Sequence, residues 1–308
     1  MHMQPHIRAN RGILALAIWM VVAVNILSLI LLLLGFDFLV TLGIIQVVTF
    51  GLPFIAYLFI TRQNARTLLA WKGLSCKNAL LVILLTLLLM PAMHLISFVT
   101  SFVFVPVALD IDLASYPLWI PLLVIGFFPS IFEEIWFRGV MYAEYKNSGI
   151  PIRKVALVTA LFFGLMHMNF HQAIYAGVMG IVWAYMIYYT RSFLAPVLAH
   201  FINNGLNVIL QYVDSYVAWY DGLWGNPLMF LVIVGGVTLV ALPLVYICMK
   251  SLKEYHADTE PAVEPQPEPL VENETPIVPK AFSPSLWVAL GIFIFMCVIM
   301  EMIMRITF

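Results

Sequence analysis

Six ionisable or hydrogen-bonding side chains sit in stretches of this sequence that are otherwise apolar. Glu133, Glu134 and Arg138 fall in one stretch, His167 in a second, and His200 with Asn204 in a third. A carboxylate and an imidazole can take a proton from water and return it, and an amide can donate a hydrogen bond to a developing oxyanion. Spacing indicates which groups act together. Glu134 and Arg138 are one turn apart on a shared helical face and can pair. Glu133 is rotated about 100° from Glu134 and has no cation at helical spacing. His200 and Asn204 also share a face. A charge network between helices would account for Glu134 and Arg138, and a lone histidine is more often packing than catalyst. Two histidines, a carboxylate pair and an amide on three segments fit that account less well.

The elements that must position these groups are membrane spans. Of 308 residues, 63% are hydrophobic and 10% charged, with a mean hydropathy of +0.99. A soluble domain carries about 25% charged residues, so lipid must solvate much of this surface. The net charge of −1 argues against a nucleic-acid partner, which calls for a basic patch. Cys76, Cys248 and Cys297 have neither metal-type nor disulfide-type spacing. The first apolar run, from Gly12 to Phe36, is too long for a signal-peptide core of about 7–15 residues. A span needs roughly 20 apolar residues, and spans are expected near 12–36, 38–60, 78–107, 117–144, 154–169, 172–190, 193–212, 227–249 and 283–304. The runs are continuously apolar, unlike the alternation of a membrane barrel. The expected fold is therefore all-α: a polytopic transmembrane bundle of about 8 core helices plus an extra C-terminal helix.

Charge orients this bundle. Basic residues concentrate in cytoplasmic loops. With the N-terminus inside, Arg8, Arg11, Arg62, Arg66, Lys72, Lys77, Lys146, Arg153, Lys154, Arg191, Lys250, Lys253 and Lys280 all face the cytoplasm. Of the 15 basic residues only Arg305, outside, and Arg138, within a span, remain. The opposite loops carry Asp37, Asp110, Asp112, Asp214 and Asp221. By helical rise, Glu133 lies about 20 Å from Lys146, His167 about 20 Å from Lys154, and His200 about 13 Å from Arg191. The three can meet in one layer. His94 has no acid or amide at helical spacing and reads as packing; Glu301 and Arg305 read as a local pair. Three regions are expected: a transmembrane core over 1–253, an acidic proline-rich cytoplasmic linker over 254–282, and a further span over 283–308. The linker has six prolines and seven acidic residues between 254 and 280, too little apolar surface to order it. Its Asn273-Glu274-Thr275 sequon would face the cytoplasm and stay unglycosylated.

Three patterns are now recognisable. Glu-Glu-x-x-x-Arg at 133–138, Phe-x-x-x-His at 163–167 and His-x-x-x-Asn at 200–204 resemble the three motifs of the CPBP family, which includes the type II CAAX prenyl endopeptidases and many bacterial relatives. Phe137-Arg138-Gly139, Phe163-Gly164-Leu165 and Pro196-Val197-Leu198-Ala199 agree with it. The resemblance covers roughly residues 110–210. It implies an intramembrane endopeptidase in a bacterial cell membrane, acting on a membrane-associated peptide or protein. Glu133, His167, His200 and Asn204 would be catalytic, with Glu134 and Arg138 in support. Glu133 and His167 would activate a water, while His200 and Asn204 would stabilise the oxyanion. No serine or cysteine at a motif position offers a covalent nucleophile. The expectation is a metal-free, glutamate-dependent site; the alternative is Zn2+ on Glu133, His167 and His200, a known catalytic donor set. A non-catalytic membrane scaffold and a proton-coupled transporter are the other readings. Prenylated CAAX proteins, maturing peptides and other membrane proteins all remain open as substrates.

The charge sorting makes a testable statement. Single cysteines placed near Asp112 and Asp221 should react with impermeant reagents from outside the cell, and cysteines in 254–280 from the cytoplasmic side. Outer labelling of the linker would reverse the orientation.

Overall fold

The computed structural model describes residues 3–106, 112–259 and 281–307, and every regular element among them is helical. Ten helices organise the chain: α1 (Pro5–Leu33), α2 (Phe38–Thr61), α3 (Cys76–Ser101), α4 (Trp119–Asn147), α5 (Ile152–Leu165), α6 (Phe170–Thr190), α7 (Leu194–Leu210), α8 (Asp214–Trp224), α9 (Pro227–Thr259) and α10 (Pro284–Thr307). Seven of them (α1, α2, α3, α4, α6, α9 and α10) are long and apolar enough to cross a membrane. The protein is an all-α, multi-pass membrane bundle. Side chains such as Phe59, Ile60 and Ile306 are four-fifths exposed, which suits a surface solvated by hydrocarbon chains.

Each of the nine expected spans contains a helix, but two are short. α5 has 14 residues and α7 has 17, about 21 and 26 Å against a hydrocarbon core of about 30 Å. α5 stops because the chain turns sharply inside the protein. Met168 adopts φ 53°, a left-handed conformation, and Asn169 caps α6 by accepting from the Gln172 amide at 2.8 Å. Residues 214–224, read only as a loop carrying acids, form the helix α8. Its Tyr220 and Trp224 pack on Phe230, and Trp224 meets Phe98 edge-on, so tertiary packing organises a segment without a clear apolar period. α9 runs past residue 254 to Thr259, supported by a Lys250–Glu254 pair at 3.6 Å. The rest of the expected linker, from 260 to 280, lies outside the described residues, as do its sequon, Lys280 and Asp110.

α4 is the central span, with 56% of its apolar window buried against 17% for α9. Its far end is fixed by Glu144, fully buried, which accepts from Arg8 through two bonds of 2.8 and 2.6 Å, from the Tyr57 hydroxyl at 2.7 Å and from Gln63. One turn of α4 is thereby tied to α1 and to α2. Asn10 adds the last helix: its amide donates at 2.9 Å to Ala281 O and Ser283 Oγ, and it accepts from Tyr145.

α5 and α6 form the closest helix pair at the core. A Cβ added to Gly164 would lie 2.4 Å from the backbone oxygen of Ala173, and small residues of this kind let membrane helices approach. Gly164→Ala should therefore destabilise the protein by about 1–3 kcal/mol, the usual range for overpacking. Gly291→Ala, where nothing stands within 4 Å, should not. Unfolding of the purified protein in detergent reads the difference.

Candidate active site

The chemistry-bearing part of α4 is irregular. π-helical turns at Leu122–Phe127 and Ile135–Met141 flank about two α-helical turns, Phe128–Glu134. Such π segments recur at functional sites because they shift the register of the side chains. The two neighbouring glutamates lie on the α-helical stretch between them, rotated from one another by about 100°. Glu134 points into the protein and Glu133 toward a cavity.

Glu134 is the centre of a buried network. Its Oε1 accepts from Arg138 Nη1 at 2.9 Å and lies 3.0 Å from His200 Nδ1. Arg138 is fully buried. Its Nη2 donates to Gly180 O at 3.0 Å, and its Cζ sits 4.3 Å from the centre of the Phe163 ring and 5.3 Å from that of Trp183. Trp183 stacks on His200, with centroids 4.5 Å apart. The cation thus gains two π faces while its carboxylate partner holds the imidazole. Gly180 makes room: a Cβ there would lie 3.1 Å from Arg138 Nη2.

The two imidazoles are oriented alike. A carboxylate accepts at His200 Nδ1, and backbone carbonyls of Phe163 and Gly164 accept at His167 Nδ1, at 2.9 and 3.2 Å. Nδ1 therefore carries the hydrogen in both rings, and both Nε2 atoms turn to Glu133. Each lies 3.9 Å from Glu133 Oε2, a buried oxygen with no hydrogen-bond partner. That separation exceeds a direct hydrogen bond and suits one intervening small molecule.

Asn204 serves the same region from α7. Proline at 129 has no N–H and cannot donate to the carbonyl four residues back; Asn204 Nδ2 donates to that carbonyl, Ile125 O, at 3.1 Å. Its Oδ1 accepts from Asn203 at 3.0 Å, which leaves one amide N–H uncommitted. Glu133, His167, His200 and Asn204 all line one cavity of about 800 Å³. A second, largely apolar cavity of about 320 Å³ between α1 and α2 shares Glu133 and His167 with it. Glu134 and Arg138 lie behind the wall.

Zinc bound by Glu133, His167 and His200 would hold its donor atoms about 3.4 Å apart, given bonds of about 2.0–2.1 Å. The nitrogen–oxygen separations here are wider, 3.9 Å. Among the described residues no three His, Cys, Asp or Glu are arranged to hold an ion.

Several site residues escaped the sequence. Gln46 lines both cavities beside Glu133; its signal, an amide within an apolar run, was available. His94, read as packing, lines the larger cavity and lies 2.9 Å from the Tyr220 hydroxyl. No spacing announces that contact, because its partner is 126 residues away. The supports Gly180 and Trp183 carry no chemistry of their own, while Phe163, already part of the Phe-x-x-x-His pattern, faces Arg138.

With this geometry in place, the comparison with known families is direct. Residues 115–206 match the family model of Rce1-like, type II CAAX prenyl endopeptidases. Over these residues the chain is similar to that family. The matched segment runs from just before α4 into α7 and contains all six residues singled out by type and spacing. No curated protein and no solved structure matches the chain. The matched segment is held by helices on both sides of it, α1 through the Glu144 network and α10 through Asn10.

Removing one partner of a buried pair leaves an uncompensated charge, at about 3–5 kcal/mol. Arg138→Met should lose stability in that range. Adding Glu134→Gln should recover more than half of it, because the stranded carboxylate is gone. Unfolding of single and double variants in detergent gives the coupling, and strict additivity would refute the network.

Proposed function

We propose that the protein is an intramembrane endopeptidase in which Glu133 activates a water to hydrolyse a peptide bond of a membrane-associated substrate. The carrying observation is the unpartnered Glu133 Oε2 facing two imidazole Nε2 atoms at 3.9 Å on the wall of a cavity. With Nδ1 protonated on both rings, carboxylate and imidazoles present lone pairs to one point. A water there donates one hydrogen to Glu133 and the other to a histidine, leaving an oxygen lone pair for attack. Glu133 takes the proton as the oxygen bonds to the scissile carbonyl carbon.

The tetrahedral intermediate then needs donors. Asn204 offers its second amide N–H, and His200 offers Nε2–H when protonated, a form stabilised by Glu134 at Nδ1. Collapse breaks the C–N bond, and the proton held by Glu133 passes to the leaving amine. Water in the cavity restores the resting state. Peptidase activity of the matched family supports this reading, as do the width of the triad and the absence of a serine or cysteine from the three motifs.

Peptides captured by the Glu133→Ala protein and identified by mass spectrometry supply the assay. Glu133→Gln keeps the size and removes the base, so turnover should fall by about 100- to 10,000-fold with binding and folding unchanged. Asn204→Ala should cost roughly 100-fold or more. Full activity after exhaustive chelation is the expected result; loss restored by zinc would place a metal on the same three residues. Near-normal cleavage by Glu133→Gln would overturn the mechanism, and failure of the native protein to cleave the captured peptides would favour a non-catalytic scaffold.

A further inference from the structure

The larger cavity extends well past the catalytic layer along α7. Asn203, Asn207 and Gln211 line it at successive helical turns, and exposure increases outward from half-buried Asn203 to exposed Gln211. Asn203 and Asn207 are held in place: one spends an N–H on Asn204 Oδ1 at 3.0 Å, the other on Asn203 O at 2.7 Å. Each retains an amide oxygen and a second N–H for a ligand. Beyond them Asp221, exposed on α8, lines the same cavity. Among the described lining residues there is no lysine or arginine. Two of the lining histidines are engaged through one ring nitrogen each, His94 Nδ1 with the Tyr220 hydroxyl and His171 Nε2 with Ser97 O at 2.9 Å.

Amides at i, i+4 and i+8 rise about 6 Å per step. An extended peptide advances about 6.6 Å every two residues and presents an N–H or C=O of the same sense at that interval. The row spans about 12 Å, the length of about four extended residues. We propose that Asn203, Asn207 and Gln211 bind the backbone of an extended substrate segment leading from the scissile bond to the cavity mouth. Asp221 there selects a positively charged residue, and the segment is internal to its chain, because no lysine or arginine among the described lining residues waits for a terminal carboxylate. The proposal rests on the peptidase reading of the same site and specifies its substrate.

The probe is a matched set of end-capped peptides carrying Lys, Gln or Glu stepped along one sequence, together with the same peptides ending in a free carboxylate. Affinity is measured by fluorescence anisotropy on full-length Glu133→Gln protein in nanodiscs, and cleavage by mass spectrometry on the native protein. At the favoured step Lys should bind roughly fivefold tighter than Glu, as suits an exposed charge pair, and Asp221→Lys should reverse the order. Asn207→Leu should weaken every peptide by roughly tenfold through lost hydrogen bonds, raising KM with kcat little changed. Indifference to charge at every step, tighter binding of free carboxylates, or unchanged affinity in both variants would overturn the proposal. Charge-selective binding without cleavage would retain it and overturn the peptidase reading; cleavage without charge preference would do the reverse.

Discussion

A fully buried arginine in the apolar interior of a membrane bundle is the constraint around which this protein is arranged. An ionised side chain in a span costs several kcal/mol unless it is paired. Arg138 meets that demand with groups from four helices: Glu134 on its own helix, Phe163 on α5, Gly180 and Trp183 on α6, and, through Glu134, His200 on α7. Satisfying one cation thus fixes the relative positions of the helices that carry Glu133, His167, His200 and Asn204. The pairing is incomplete, since Arg138 Nε and Glu134 Oε2 have no hydrogen-bond partner. Buried pairs of this kind are weak sources of net stability; what this one supplies is position.

The same network explains why two adjacent glutamates differ in character. Glu134 is spent on Arg138 and His200 and is held by both. Glu133, one residue earlier and rotated by about 100° on the same helix, receives neither. A carboxylate with an unpartnered buried oxygen is poor structural material and good chemical material. The second glutamate, in turn, fixes the tautomer of His200 and so aims its Nε2 at the first. Pairing and reactivity are consequences of one local geometry.

How much of this was legible in the sequence depends on the range of the interaction. The Glu134–Arg138 pair is one turn long, and the Glu301–Arg305 pair likewise; both stand at 2.9 and 2.8 Å as spacing suggests. The apolar runs place the helices, and residue type picks out the layer containing Glu133, His167 and His200. Contacts between distant segments left no such trace. The early end of α5 depends on a turn that a run of apolar residues does not show, and α8 owes its helical form to Phe98 and Phe230 on other helices. The bond from Asn204 to Ile125 was half legible: Pro129 signals a freed carbonyl, but not which side chain takes it.

The last helix shows how parts outside the matched segment can bear on the site. The sequence suggests an addition, joined through a linker poor in apolar residues. In the fold α10 packs along α1 and reaches α5, where Phe293 meets Phe162 edge-on and Cys297 Sγ donates to Leu165 O at 3.8 Å. Leu165 is the final residue of α5, two before His167. Further along, Glu301 accepts from the Val105 amide at 3.3 Å and Arg305 donates to Val103 O at 2.7 Å. The adjoining Pro106 lines the larger cavity. The helix therefore braces both the turn that presents His167 and the backbone at the cavity rim. A layer of polar groups built from three helices needs its helix ends fixed as firmly as its middle. Here α1 and α10 fix them from outside the segment that carries the chemistry.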